Sequence, residues 1–312
     1  MNLVHQLAKQ LRKSELEVIR FLENAPNKYR VYKIPKRSHG HRIIAQPTKE
    51  LKEYQRAFLS ICNFPVHHSA MAYCEGKGIK ENALAHVNHN YLLKIDFENF
   101  FNSITPTLFW QAIENAKCDI PAFTTQEKEI VEKIVFWCPS KLKHGKLVLS
   151  VGAPTSPIIS NFCLNEFDRF ISDICNDQKI TYTRYADDLT FSTNTRDLLY
   201  TIIPSIQDLL ALMFSHDLKL NHSKTVFSSR GHNRHVTGVT LSNDGTISLG
   251  RERKRYIKHL INQFKYNLLD EGDTRHLQGL LAFAQHIEPD FIRRLNAKYT
   301  IELMRSIKEA NS

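Results

Sequence analysis

Two adjacent carboxylates, Asp187 and Asp188, lie in the middle of residues 182–192, Tyr-Thr-Arg-Tyr-Ala-Asp-Asp-Leu-Thr-Phe-Ser. The flanks are rich in Tyr, Thr, Leu and Phe and read as two strands, with the acidic pair as the turn between them. Side by side, the two charges repel. In open water that is tolerable, and an Asp-Asp turn is then an ordinary solvated turn. In a cleft the pair needs a cation. A hard divalent ion with oxygen ligands is the natural partner, and Mg²⁺ prefers one or two carboxylates together with substrate phosphates.

Asp96 adds a third carboxylate. It interrupts the apolar run of residues 91–97, Tyr-Leu-Leu-Lys-Ile-Asp-Phe, near its end. A charge that closes a buried strand needs a partner or a metal. If this strand lies beside the hairpin, Asp96 and Asp187 face each other across one cleft. Two metal ions held there would stabilise both the attacking and the leaving oxygen of a phosphoryl transfer. Whether the two strands are neighbours is for the structure to decide.

The rest of the chain suits an acidic partner. The formal net charge is +10 over 312 residues, which favours nucleic acid, with an anionic membrane as the rival. No apolar run reaches the roughly 18 residues of a spanning helix, and the first 13 residues lack a signal-peptide core. A cytoplasmic protein without membrane contact is therefore expected. The six cysteines (62, 74, 118, 138, 163 and 175) form no Cys-x-x-Cys pair and read as reduced core residues.

Along the chain, Leu3, Val4, Leu7 and Leu11 make a helical stripe, and Ser14 with Glu17 resembles a capping box opening a second helix. Residues 29–34 alternate as a strand and pair with the segment after Arg42 across a turn at 38–40. The basic residues around it (Lys36, Arg37, Arg42 and Lys49) are either a solvated surface or a set of phosphate contacts. Helices are expected over 51–64, 79–87, 105–116, 126–137, 158–175 and 198–214. Residues 141–146 make a basic loop or hairpin, and 150–157 a loop stiffened by two prolines around Gly152. Residues 251–269 form an amphipathic helix with Tyr256, Ile257, Leu260, Ile261, Phe264 and Leu268 on one face and Arg251, Lys254, Arg255, Lys258 and Lys265 on another. That basic stripe is either solvated or a duplex contact. Phe283, Phe291, Leu295, Tyr299 and Met304 are core candidates in the helical end, which reads as a separate lobe from about 250.

At this point the order of motifs resembles a reverse transcriptase. The elements are residues 42–51, Asp96 with Phe100-Phe101, Gly152-Ala-Pro154, Tyr185-Ala-Asp-Asp188, residues 220–225 and the segment around Val236. The resemblance runs from about residue 30 to 260. Asn82-Ala-Leu-Ala-His86 and Val236-Thr-Gly238 are similar to two motifs of the bacterial retron reverse transcriptases. A chain of this length, expected to carry no appended maturase, nuclease or integrase module, fits that subgroup. Val151 departs from the pattern, since many reverse transcriptases carry Gln there.

The resemblance implies an α+β right-hand polymerase with an antiparallel palm sheet and a helical thumb. Fingers would be residues 1–90 and 116–150, palm 91–115 and 151–249, and thumb 250–312. It implies an RNA-directed DNA polymerase that uses dNTPs and two Mg²⁺ ions. Its template would be a structured retron RNA (msr-msd), primed at an internal 2′-OH to give a branched RNA–DNA hybrid (msDNA). An effector protein from the same locus and a role in antiphage defence would accompany it. Asp96, Asp187 and Asp188 would hold the metals, and Lys224 would protonate the leaving pyrophosphate. Arg42, Lys49 and the Phe97 backbone would grip the triphosphate, Phe101 would exclude ribose, and Gly152 and Pro154 would shape the pocket floor. Asn82, His86, Val236, Thr237 and Gly238 would recognise the retron RNA, and Arg251, Lys254, Arg255 and Lys258 would track the duplex. The rivals are a group-II-intron-like or CRISPR-linked reverse transcriptase and a non-catalytic scaffold for RNA and effector.

Overall fold

The computed structural model describes residues 2–35, 40–116, 120, 122–142, 144–215 and 217–310. The basic residues Lys36 and Arg37, the turn residues Ser38 and His39, Cys118 and Lys143 lie outside them.

Among the described residues nine strands form three sheets. A two-stranded hairpin joins β1 (Tyr29–Pro35) to β2 (His41–Pro47), and a four-stranded antiparallel sheet carries β3 (Tyr91–Phe97), β4 (Thr181–Tyr185), β5 (Asp188–Thr193) and β6 (Leu220–Ser229) in the order β4-β5-β3-β6. A small sheet joins β7 (Arg234–Val236), β8 (Val239–Leu241) and β9 (Ile247–Ser248).

Strand alternation makes the central sheet two-faced. Leu93, Ile95 and Phe97 of β3 enter one core, and the register pairs Leu93 with Phe191 and Ile95 with Leu189 on β5. Helix Asn165–Asp177 covers this face through Phe167, whose ring lies 6.2 Å from Phe97 and 6.1 Å from Phe214 of helix Ile202–Phe214. The opposite face carries Leu92, Lys94 and Asp96, paired with Ser192, Thr190 and Asp188. At one end that face is covered by helix Ile79–His86. At the other end it presents the acidic residues.

The N-terminal helices Leu3–Leu11 and Glu15–Leu22 form as their spacing predicts, with both halves of the Ser14–Glu17 capping box in place. The helix expected over 158–175 is instead two, Thr155–Cys163 and Asn165–Asp177, meeting at Leu164. Among the described cysteines all are free, and four of them are buried.

Packing divides the molecule into two cores. The first runs from Leu3 to Leu220. The second gathers the helices Arg251–Lys265, Glu271–Ile287, Pro289–Tyr299 and Ile301–Glu309 with Ala83, Val87, Leu92 and the small sheet. Val236, Val239, Leu241 and Ile247 thus pack with the helical lobe, although they precede the expected margin at 250. Of the expected apolar face of helix Arg251–Lys265, Ile257, Leu260 and Ile261 are buried, whereas Tyr256 and, beyond the helix, Leu268 are exposed.

Candidate active site

β3 lies against β5 with Asp96 directly opposite Asp188. The Phe97 amide donates to the Asp187 carbonyl at 3.1 Å, so the turn residue is tied to the same strand end. Ala186 adopts φ 56°, and the turn proper is Ala186-Asp187, with Asp188 already the first residue of β5. The three carboxylates stand together at the open end of the sheet. Burial first, and then the Asp96 charge, pushes the Asp187 carboxyl up. Burial, followed by Asp187 and Asp96, pushes Asp188 up to about 6. Such mutual destabilisation of charge is what a bound cation relieves.

Two features that sequence reading did not supply shape the site. The first is Arg184, completely buried, which binds Asp168 at 2.6 and 2.9 Å, Asn161 Oδ1 at 3.0 Å and the Ala186 carbonyl at 3.1 Å. Tyr182 donates to the same Asp168 at 2.7 Å. The guanidinium therefore clamps the backbone immediately before Asp187. Removing either partner would strand a charge in the interior, at a cost of about 3–5 kcal/mol. A strand pattern alone gives an Arg between Thr183 and Tyr185 no inward assignment. The second is a break in the β3–β6 register. Lys94 pairs with Val226 and Asp96 with Asn221, so His222, Ser223, Lys224 and Thr225 stand opposite Ile95 alone. This bulge brings the Lys224 ammonium to both Asp96 oxygens, at 2.9 and 3.0 Å.

Beside the acids lies a pocket lined by Lys52, Arg56, Tyr73, Phe101, Pro154 and residues 150–153. Gly152 has φ +121°, and a Cβ there would sit 3.4 Å from the Ala45 carbonyl and 3.5 Å from Ile44. Those are ordinary contact distances, so it is the positive φ that calls for glycine; β2 is fastened beside it by the Ala45 amide, which donates to the Val151 carbonyl at 3.1 Å. The hydroxyls of Ser150, Thr155 and Ser156 are buried here without a partner among the described residues. Arg42 stands exposed on β2, close enough for its charge to act on Asp187. Lys49, expected at the pocket, is exposed at the start of helix Lys49–Ile61, and Lys52 and Arg56 of that helix reach the pocket instead. A helix presents one face to a given neighbour, and spacing alone did not say which.

The residues expected to contact RNA separate into two groups. Asn82 and His86 are fully buried. Thr183 Oγ1 donates to Asn82 Oδ1 at 2.5 Å, so it accepts from His86 Nε2 at 2.7 Å. His86 Nδ1 then accepts from Ser192 Oγ at 2.7 Å, and Ser192 accepts in turn from His89 Nδ1 at 2.7 Å. Burial first, and then His89, depresses the His86 pKa to about 3, in keeping with this neutral tautomer. Val236 is also buried, in the second core. These three side chains are interior struts and present nothing to an RNA surface. Thr237 and Gly238 form the β7–β8 turn with φ 46° and 79°, a hairpin geometry with two positive φ values. Asn82 Nδ2 reaches Thr237 Oγ1 at 3.5 Å, and Arg253 donates to the Gly238 carbonyl at 3.1 Å. On helix Arg251–Lys265, Arg251 and Arg255 are exposed and Lys258 half-buried. Lys254 is engaged, binding Glu288 at 2.7 Å.

Comparison with known proteins gives the same direction. The family described as reverse transcriptase (RNA-dependent DNA polymerase) matches residues 34–241. The chain is 49% identical to the retron Ec83 reverse transcriptase of Escherichia coli, over 90% of each chain. It is 31% identical to the retron Ec73 reverse transcriptase of Escherichia coli, over 89% of each, and 32% identical to the retron Mx65 reverse transcriptase of Myxococcus xanthus, over 86% of this chain and 63% of the other. The likeness to solved structures is weaker; telomerase from Candida albicans is 12% identical, with a TM-score of 0.47 over 89% of this chain and 59% of that one. With its acidic hairpin set on an antiparallel sheet, the chain belongs to the retron reverse transcriptases, right-hand polymerases that make DNA on an RNA template.

Proposed function

We propose that this polymerase copies a folded RNA of its own retron, starting from an internal 2′-OH of that RNA and leaving a branched RNA–DNA product. The observation that carries the catalytic part is the register of Asp96 opposite Asp188, with Asp187 tied to the same strand end. The donor set suits Mg²⁺, being all carboxylate oxygen at a point where the charges destabilise one another. Among the described residues no ready-made group of three acids, histidines or cysteines stands at coordinating separation. The aspartates would draw together on binding, and Lys224 would leave Asp96. Two bound ions would supply Lewis acidity to the attacking hydroxyl and to the triphosphate.

The chain's own residues do the rest. Phe101 walls the pocket on the sugar side and excludes a ribose 2′-OH. Arg42, Lys52 and Arg56 offer charge to phosphates; the Phe97 amide, expected to grip the triphosphate, is instead engaged by the Asp187 carbonyl at 3.1 Å. Released from Asp96, Lys224 is placed to give a proton to the departing pyrophosphate. In this reading residues 1–90 and 116–150 are fingers, 91–115 and 151–249 palm, and 250–312 thumb. An effector protein and a role in defence against phage would follow from the retron context. No described helix is long and apolar enough to cross a membrane.

The deciding test is Asp187→Asn, which removes a charge with little change of shape. Primer extension in Mg²⁺ is expected to fall by at least about a thousandfold with the melting temperature preserved. Near wild-type extension would sink the assignment.

A further inference from the structure

We propose that Tyr73 is an aromatic platform in the nucleotide pocket, its ring stacking on the base of the incoming nucleotide. The inference rests on the nucleotide reading of that pocket.

Three observations carry it. Tyr73 has φ +61°, a conformation that a bulky side chain adopts only under constraint. The constraint comes from its neighbours. The Ala72 carbonyl accepts from Asn161 Nδ2 at 2.9 Å and from Cys74 Sγ at 3.3 Å. The Met71 amide donates to the Arg184 carbonyl at 2.8 Å, and the Arg184 amide to the Ser69 carbonyl at 2.8 Å. The strained residue is thus pinned to the residue that clamps the acidic turn.

The second observation is what the side chain does with its position. The ring lines the pocket together with Phe101 and Gly152 yet is 54% exposed. Its hydroxyl has no hydrogen-bond partner among the described residues. A core role would bury the ring, and a structural hydrogen bond would engage the hydroxyl; neither is present. Third, Tyr73 lies near enough to Asp187 and Arg42 for both charges to act on it, which sets it in the neighbourhood of the acidic turn and the β2 hairpin. A phenol is uncharged at neutral pH, so an uncharged aromatic face is offered where a base must lie. Every base has a π-face, so such a platform serves any template sequence.

Strain makes the role separable from folding. Glycine adopts φ +61° freely. Tyr73→Gly should therefore melt at or above the wild-type temperature, while KM for dNTPs on an annealed primer–template rises about tenfold, the order of one lost base–aromatic stack. The dissociation constant for the primer–template should move by less than about threefold. Tyr73→Phe should recover most of the lost nucleotide affinity. Wild-type KM in Tyr73→Gly overturns the proposal. So does a Phe variant as weak as Gly, which would assign the effect to the hydroxyl. A Gly variant that melts well below wild type makes the ring structural, and a tenfold loss of primer–template affinity with KM unchanged moves the platform to the template strand; both refute it. If Asp187→Asn also leaves extension intact, it is the underlying catalytic reading that has failed.

Discussion

At the scale of single residues, the motif histidine is the clearest case of a side chain whose work is internal. His86 joins two neighbouring strands of the central sheet, through Thr183 and Ser192, and shares Ser192 with His89. In the unfolded chain it takes up a proton near 6.5, whereas the folded value is depressed to about 3. Between those values the unfolded state binds the extra proton. The stability contributed by neutral His86 is therefore complete above about pH 6.5 and is lost as the pH falls toward 3. His86→Gln is expected to cost about 1–3 kcal/mol at neutral pH by breaking the buried chain of hydrogen bonds. Its melting temperature should also fall less steeply than that of wild type between about pH 7 and 4.5. Parallel melting curves for the two proteins over that range would show that His86 does not carry the acid sensitivity. His89, whose own pKa is lowered by burial and then by Arg234, remains in both proteins and cancels in the comparison.

At the scale of elements, helix Arg251–Lys265 shows why a charge stripe is not yet an interface. The five basic residues that read as its charged stripe have different duties. Lys254 closes onto Glu288, which also accepts from Ser248 Oγ at 3.0 Å and from the Leu249 amide at 3.1 Å. That cluster fastens the start of the helix to the turn before helix Pro289–Tyr299. Arg251 and Arg255 remain exposed. Replacing Arg251, Arg255 and Lys258 together by Gln should flatten the log–log dependence of duplex affinity on salt by about 2–3, since each lost phosphate contact lowers the slope by about 0.9. Lys254→Gln should instead lower the melting temperature and leave the slope nearly unchanged. Filter binding over a salt series reads the first effect and thermal melting the second. If the two variants behave alike, the division of duties is wrong.

At the scale of the whole molecule, the two cores lie on opposite faces of the central sheet, and the second shares its face with the carboxylates. Leu92 belongs to the second core and Leu93 to the first, although they are adjacent in β3. The hydrogen-bond chain from Ser192 through His86, Thr183 and Asn82 ends at Thr237, so the β7–β8 turn is keyed to the same sheet that carries Asp96 and Asp188. A folded RNA held at that turn would have its position set relative to the metals. Thr237→Ala is accordingly expected to reduce initiation on the cognate folded RNA at least tenfold more than extension of an annealed 3′-OH primer. A gel assay that resolves branched from linear product, with debranching enzyme as control, measures both. Equal loss of the two activities would leave the polymerase reading standing and remove the internal-priming one.

Local chemistry alone determined much of this protein. The acidic hairpin, the Ser14–Glu17 capping box, the amphipathic helix after Gly250 and the order of motifs are written in spacing and residue type, because each depends on neighbours within a few positions. Family membership was legible for the same reason. The tertiary structure decided everything that required two distant segments to meet. It set Asp96 opposite Asp188, turned Arg184 inward onto Asp168 and looped Lys224 back onto Asp96. It exchanged Lys49 for Lys52 and Arg56 at the pocket. It also withdrew Asn82, His86 and Val236 from the surface on which their motifs had suggested an RNA contact. A polar residue in a strand or helix pattern carries no mark of whether it will face water or a buried partner. That choice is made by the long-range packing that supplies or withholds the partner, and a buried polar group survives only where one is supplied.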